Sequence, residues 1–591
     1  MELSPELALQ PDASRLTWAR LLDDAAERHG DRIALGARDA SGGTWPAVSF
    51  RALRTRSRDL ARGLIGAGVV KGARVGVLMA NGPDWVEASF AASLVGAVLV
   101  PVNTFATPAE RDYILRHSDA SLLLMHPGLG KRNFLAEFAT SHPQMQGSVP
   151  GRLRLTALPH LRRIVCVGEG MKEGAEEGPG EGPGEGAEEG PADAAGAYGV
   201  ESESDLQGLG SDVSDALLDA AADQVHPSDD GVLIYTSGTT AHPKGVLHRQ
   251  RAPAIQSWRF AEHMGLTADD IVLTAQPFFW TAGIAMSLGA SLAAGAPLFL
   301  EPVFDAARFL ERIEGERITT LHAWPHQEKA MADHPDAQTR DLSSLSKIEF
   351  ASPLAPLAGL EHDGWGTYGS YGLSETFTLA SSLPADSPAD QRRGTNGRAL
   401  PGMTLRILDI ESGEPLTEAM EKGEIAVKGL TLMRGYAKVD PELYFDDEGF
   451  FRTQDGGALD GEGLLHWSGR LSNLIKTGGA NVSPLEIEAA LAHCPEIGVG
   501  AAVGVPHPVL GEIIVVCAVP APGIEVSEPA LLATLSEKLA AYKRPKRILF
   551  FSAEELSFTA NQKLQVEPLR ELALGRLRAE NAEIAGVRYE A

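Results

Sequence analysis

The stretch YTSGTTAHPKGV, from Tyr235 to Val246, sets four aliphatic hydroxyls and a glycine ahead of one lysine, directly after the apolar run GVLI. Such a stretch can hold phosphate. The hydroxyls of Thr236, Ser237, Thr239 and Thr240 donate, Gly238 leaves the backbone free, and Lys244 supplies a cation. It is not a Walker loop, whose pattern is G-x-x-x-x-G-K-[ST]. Counted from Gly238, the second glycine position falls on Pro243, which has no N–H to give, and Gly245 stands where Ser or Thr belongs. The plainer alternative is a polar turn between strands, but this density of donors after a buried strand favours a phosphate site.

The elements that must position this loop read as alternating strand and helix. ARVGVLMAN is a strand; DWVEASFAASLVGA follows with Val86, Phe90 and Leu94 on one helical face. VLVPVN is the next strand, and TPAE opens a helix with Thr107 as cap, Pro108 at the first position and Glu110 reaching back. Repeated β-α-β units with apolar strands imply parallel sheets covered by helices. Farther on, GMTLRILDIESGEPL and KGEIAVKG read as antiparallel β. From Arg470 a smaller α+β unit is expected, with a helix SPLEIEAALAHC capped by Ser483 and Glu486, strands VGAAVGV, GEIIVVCAV and RILFFS, and a helix SEPALLATLSEKLAAY. The expected fold class is α/β: a large N-terminal domain of parallel-rich sheets covered by helices plus a β subdomain, with a small mobile α+β C-terminal domain.

Bulk composition narrows the function. The 591 residues are 44% hydrophobic and 22% charged, ordinary for a folded soluble protein. A formal net charge of -27 opposes nucleic acid and anionic membrane, without opposing a nucleotide pocket that needs only local donors. The cysteines, Cys166, Cys494 and Cys517, show no C-x-x-C spacing, which fits a reducing cytoplasm and neither a disulfide framework nor a cysteine metal site. The start, MELSPELALQPDASR, has acids where a signal peptide has bases, and no membrane span is expected. Residues 168–212, beginning GEGMKEGAEEGPGEG, offer almost nothing to bury and read as a disordered acidic insert.

The phosphate loop resembles the signature of the adenylate-forming (AMP-binding) superfamily, the acyl-CoA synthetases and their relatives. Further segments agree in order: YGLSET resembles Y-G-x-T-E, FRTQDGG resembles F-R-T-G-D, GRLSNLIKTGGANVSPLEIE resembles the long hinge motif, and NQKLQ resembles the loop of the essential lysine. The resemblance implies that a carboxylate attacks the α-phosphate of ATP, pyrophosphate leaves, and the thiol of coenzyme A then displaces AMP. It implies roles residue by residue. Glu375 binds Mg²⁺, Ser374 bonds the α-phosphate, and Tyr371 stacks on adenine. Asp455 takes the ribose hydroxyls beside Arg470, and Lys563 bridges carboxylate and α-phosphate. Gly478 and Gly479 leave room for the pantetheine arm. It also implies a large domain over 1–469, a hinge at 470–473 and a rotating lid over 474–591. Singly, each residue has a bland reading as a surface acid, a turn residue or a solvated lysine; in motif order the functional reading is favoured.

The chain departs from that pattern at Ala241-His242 in the loop, at Gln454 for the glycine of T-G-D, at Ser472-Asn473 in the hinge, and before Lys563, where S-G is missing. ASPLAP, from Ala351 to Pro356, stands for the adenine-side segment. The charged groups remain, so adenylation is expected; the second half-reaction depends more on the altered positions. Trp280 in PFFWTAG and Trp324 in LHAWPHQ are either core residues or the walls of an acyl pocket that favours a small or aromatic acid. The expected partners are a small-molecule acid and coenzyme A or a carrier protein. Two alternatives stay open: transfer to another acceptor such as an amine, including nitrite activation, and a non-catalytic nucleotide-binding relative.

Overall fold

The computed structural model describes residues 16–38, 44–168, 198–236, 243–473, 475–477, 480–508, 510–539, 543–558 and 564–590. The chain groups into two compact units, Met1–Thr404 with Val427–Gly449, and Leu405–Ala426 with Phe450–Ala591. The residues expected as a hinge, 470–473, fall inside the second unit, where Arg470 ends a strand paired in register with Phe451–Leu459.

The first unit holds two sheets rich in parallel pairs. One has eight strands in the order Gly435–Tyr436, Lys244–Arg249, Asp230–Thr236, Val98–Pro101, Arg74–Leu78, Leu122–Met125, Arg163–Cys166, Glu201–Ser202. Its pairs are parallel from Asp230–Thr236 onward, and antiparallel only where the chain returns through Lys244–Arg249 and Gly435–Tyr436. The other has five strands, with Thr320–His322, Val272–Thr274, Leu298–Leu300 and Ile33–Arg38 running parallel. The apolar strands are buried on both faces, as helix-covered parallel sheets require. The capping box at Thr107 forms as expected: its hydroxyl accepts the Glu110 amide and Glu110 accepts the Thr107 amide.

Three expectations need correction. The helix Pro83–Leu94 does not bury one face: every residue but Asp84 is buried, because it lies inside the largest apolar cluster of the unit. The insert does not extend to residue 212. Residues 169–197 lie outside the described residues, but Glu201–Ser202 joins the sheet and Glu203–Leu209 is a helix. That helix is held because Leu206 is fully buried and because Gly66 lets its backbone approach: a Cβ there would meet the Leu209 carbonyl oxygen at 1.9 Å. Finally, Ser483 does not cap the helix Pro484–Leu491; its hydroxyl donates to the Ser468 carbonyl at 2.6 Å instead, while Glu486 pairs with Lys422 and Lys543.

The second unit contains the antiparallel pair Phe451–Leu459 and Leu465–Arg470, then a five-stranded sheet in which Gly511–Pro520 pairs with Ile497–His507 antiparallel and with Arg547–Phe550 parallel. Helices Pro484–Leu491, Glu528–Lys538 and Val566–Ala579 bury one apolar set each against it. Among the described residues no helix is long and apolar enough to cross a membrane.

Candidate nucleotide site

In the first unit an antiparallel pair of strands flanks the candidate phosphate loop. Asp230–Thr236 and Lys244–Arg249 align Thr236 with Lys244 and Tyr235 with Gly245, so the two ends of the loop face each other at its base. Ser237, Gly238, Thr239, Thr240, Ala241 and His242 lie outside the described residues. Both stems are tied to the helix Pro108–His117. The Tyr235 hydroxyl meets His117 Nδ1 at 2.8 Å, and the Tyr113 hydroxyl donates to the Pro243 carbonyl at 3.2 Å. Lys244 directs its ammonium to the ring face of Tyr436, 5.0 Å from the centroid.

Ser374 and Glu375 sit on a 3-10 turn, Ser374–Thr376, that is fastened from several sides. His248 Nε2 bonds the Ser374 carbonyl at 2.8 Å. The Met433 amide donates to the Glu375 carbonyl at 2.7 Å, and Gln256 Nε2 donates to the carbonyls of Thr376 and Leu379 at 2.8 and 2.7 Å. His248 is fully buried, and desolvation lowers its pKa to about 3, so its ring is neutral and Nε2–H is the donor to the carbonyl. After the turn, Phe377 and Thr378 have φ of 52° and 93°, a left-handed stretch that neither residue prefers. The glycine of YGLSET is sterically required: a Cβ on Gly372 would lie 1.5 Å from the Thr378 carbonyl oxygen. Tyr371 is buried on a short strand paired with Ser381–Ser382.

Glu375 is half-buried, and its Oε1 accepts the Tyr436 hydroxyl at 2.6 Å. Among the described residues no lysine or arginine forms an ion pair with it, and the Tyr436 phenol is the group that orients this carboxylate. One hard carboxylate of this kind fits Mg²⁺, which takes one or two carboxylates and completes its shell with phosphate oxygens and water. No group of three or more His, Cys, Asp or Glu suited to an all-protein metal site occurs among the described residues.

In the second unit Asp455 is 3% exposed and pairs with Arg470, Nε to Oδ1 2.9 Å, directly across the strand register. Arg470 also donates to the Thr453 carbonyl at 3.0 Å, and the Thr453 hydroxyl accepts the Asp455 amide at 3.0 Å. The position between them, Gln454, has φ of 61°, and its amide donates to Glu424 Oε1 at 2.9 Å. A left-handed residue at this point is why a glycine suits it. Gly478, Gly479 and Lys563 lie outside the described residues.

The tryptophans are not core residues. Trp280 and Trp324 are each half-exposed and meet edge to face, ring centroids 6.1 Å apart at 83°. Phe279 packs on Trp280 at 4.9 Å and on the exposed Phe105 at 5.5 Å, both edge-on. Beside this aromatic run Ser287 links Thr274, Gln276 and His322 in a buried polar cluster. Sequence reasoning singled out neither Tyr436 nor His248 nor Gln256. Their only signal was the short phrase MRGYAK and a buried-looking polar pair in VLHRQ and AIQSW, none of which announces a contact with residue 374, 375 or 376.

Against known proteins, the model of the AMP-binding enzyme matches residues 22–437, and that of the AMP-binding enzyme C-terminal domain matches residues 486–563. The chain belongs to the AMP-binding enzyme family. It is 30% identical over 567 residues, 94% of this chain and 98% of the relative, to the 3-[(3aS,4S,7aS)-7a-methyl-1,5-dioxo-octahydro-1H-inden-4-yl]propanoyl:CoA ligase of Rhodococcus jostii (strain RHA1). It is 36% identical over 369 residues, 61% of this chain and 71% of the relative, to the indoleacetate–CoA ligase of Aromatoleum aromaticum (strain DSM 19018 / LMG 30748 / EbN1). Among solved structures, ATP-bound MatB from Rhodopseudomonas palustris superposes with a TM-score of 0.72 at 25% identity, over 94% of this chain and 98% of that one. This chain is an enzyme of the AMP-forming acid–CoA ligase family, whose substrates are ATP and coenzyme A.

Proposed function

We propose that the protein activates a small or aromatic carboxylic acid to its acyl adenylate and then passes the acyl group to coenzyme A. The observation that supports this acid class is the half-exposed Trp280–Trp324 pair, continued by Phe279 and Phe105. Such a run offers flat apolar walls to a ring and shortens the space left for a long chain. That one relative is an indoleacetate–CoA ligase agrees with it.

The roles proposed for the residues are those the family resemblance implies. Thr236, Ser237, Gly238, Thr239, Thr240 and Lys244 hold the β- and γ-phosphates, and Ser374 bonds the α-phosphate. Tyr371 stacks on adenine, and Asp455 accepts the ribose hydroxyls, oriented by Arg470. Glu375 would hold Mg²⁺, which when bound neutralises charge on the triphosphate. Lys563 bridges the attacking carboxylate and the α-phosphate, where negative charge gathers in the transition state. Gly478 and Gly479, having no side chains, would leave room for the thiol arm.

The test is pyrophosphate release over a panel of aryl, short aliphatic and long-chain acids plus nitrite, with and without coenzyme A. Aryl or short acids should give release and a thioester, and Trp280→Ala should improve turnover of longer acids. Efficient long-chain turnover by the native enzyme, with no gain in Trp280→Ala, would reject the acid class. Release without a thioester would move the acceptor to an amine or a carrier protein.

A further inference from the structure

Lys244 and Glu375 carry opposite charges, and one side chain touches both. Tyr436 lies on the two-residue strand Gly435–Tyr436, which pairs with Lys244–Arg249 so that Tyr436 is opposite Val246. Its hydroxyl donates to Glu375 Oε1 at 2.6 Å, and its ring faces the Lys244 ammonium at 5.0 Å. Its own position is fixed independently: the Tyr436 amide donates to the Tyr444 hydroxyl at 2.9 Å, and the two rings meet edge to face at 4.7 Å.

We infer that Tyr436 is a positioning residue that aims both Lys244 and Glu375, each through its own contact. The ring offers the ammonium an attractive face that carries no formal charge, so Lys244 can be released to phosphate at little cost. The phenol orients the carboxylate without neutralising it, so Glu375 keeps its full charge for a divalent cation. The inference rests on the reading of Glu375 as the cation-binding carboxylate.

The two contacts are separable. Tyr436→Phe keeps the ring and removes the hydroxyl; Tyr436→Leu removes both. The probe is Mn²⁺ with ATP, its binding read by electron paramagnetic resonance, alongside the KM for ATP in pyrophosphate release. Tyr436→Phe should weaken Mn²⁺ about tenfold, the scale of one hydrogen bond to a charged group, and raise the KM for ATP, which enters with its metal, by about the same factor. Tyr436→Leu should weaken Mn²⁺ as much and raise the KM for ATP beyond the rise in Tyr436→Phe, because the ring face on Lys244 is lost too. Native Mn²⁺ affinity in Tyr436→Phe overturns the inference, as does an equal rise of KM in both variants. Glu375→Gln serves as the control. If it alone abolishes Mn²⁺ binding, the role of Glu375 stands and that of Tyr436 falls; if it retains native Mn²⁺ affinity, the role of Glu375 itself is wrong.

Discussion

Replacing Gln256 with leucine should loosen the turn that carries Ser374 and Glu375 without touching either residue. Gln256 is completely buried, and its amide supplies the donors for the Thr376 and Leu379 carbonyls at 2.8 and 2.7 Å. Leucine has similar bulk and no donor. Each buried carbonyl left unpaired costs about 1–3 kcal/mol, so the pair costs about 2–6 kcal/mol. Against this stands the strain of Phe377 and Thr378, held at φ of 52° and 93°. At about 1–3 kcal/mol each, the strain is also about 2–6 kcal/mol. The two sums are equal in size, so the turn without its anchor gains by relaxing, and the relaxed turn no longer aims Glu375. At the low end, about 2 kcal/mol corresponds to about thirtyfold. Hydrogen exchange read by mass spectrometry over residues 371–379 should therefore accelerate by about that factor, and the rate of pyrophosphate release should fall at least tenfold. Native exchange in this segment together with native turnover would refute the claim that the anchors hold the strain.

Three further outcomes follow from particular residues. Gln454→Gly should stabilise the second unit by about 0.5–1 kcal/mol, because the left-handed backbone costs about 1–2 kcal/mol for a non-glycine and the extra freedom of unfolded glycine returns about 0.5–1 of it; a lowered melting temperature would contradict this. His248, His263 and His322 are buried, and desolvation lowers their pKa values to about 3, 4 and 4. Above about pH 7 they contribute nothing to the pH dependence, but as pH falls through about 6.5 the unfolded chain binds protons that the fold refuses. Stability to denaturant should thus decline from about pH 6.5 down to about 4, and His263→Gln should flatten that slope. Glu87 acts in the opposite direction: burial first, and then Asp84, raises its pKa to about 8, so stability falls as pH rises from about 4.5 to 8. Glu87→Gln should raise the melting temperature more at pH 8 than at pH 5, and an equal rise at both would show that the carboxyl is ionised in the fold.

Much of this was written locally in the sequence. The cap at Thr107 and Glu110 depends on residues three apart, and the strand–helix alternation depends on runs of a few residues; both could be read directly. The same spacing at Ser483 and Glu486 misled, because the Ser468 carbonyl is brought beside the hydroxyl by a strand that precedes it, and spacing alone carries no trace of that rival. The charged site residues were legible only through motif order, since an isolated glutamate or lysine has no distinguishing pattern. What stayed hidden is the support. His248 reaches Ser374, Gln256 reaches Thr376, and Tyr436 reaches Glu375 only after the sheet is assembled, because each contact joins segments far apart in the chain. The tryptophans show the same limit: composition favours burial for such residues, whereas the fold leaves both half-exposed and touching.

The central claim is that the carboxylate of the acid attacks the α-phosphate of ATP before the thiol takes the acyl group. It is tested most directly by supplying an acid whose carboxylate oxygens are isotopically labelled and analysing the AMP formed by mass spectrometry. The acyl adenylate route leaves one labelled oxygen on AMP, because the P–O bond made in the first step is retained when the thiol breaks the acyl C–O bond. Unlabelled AMP, or label found in inorganic phosphate instead, would contradict it.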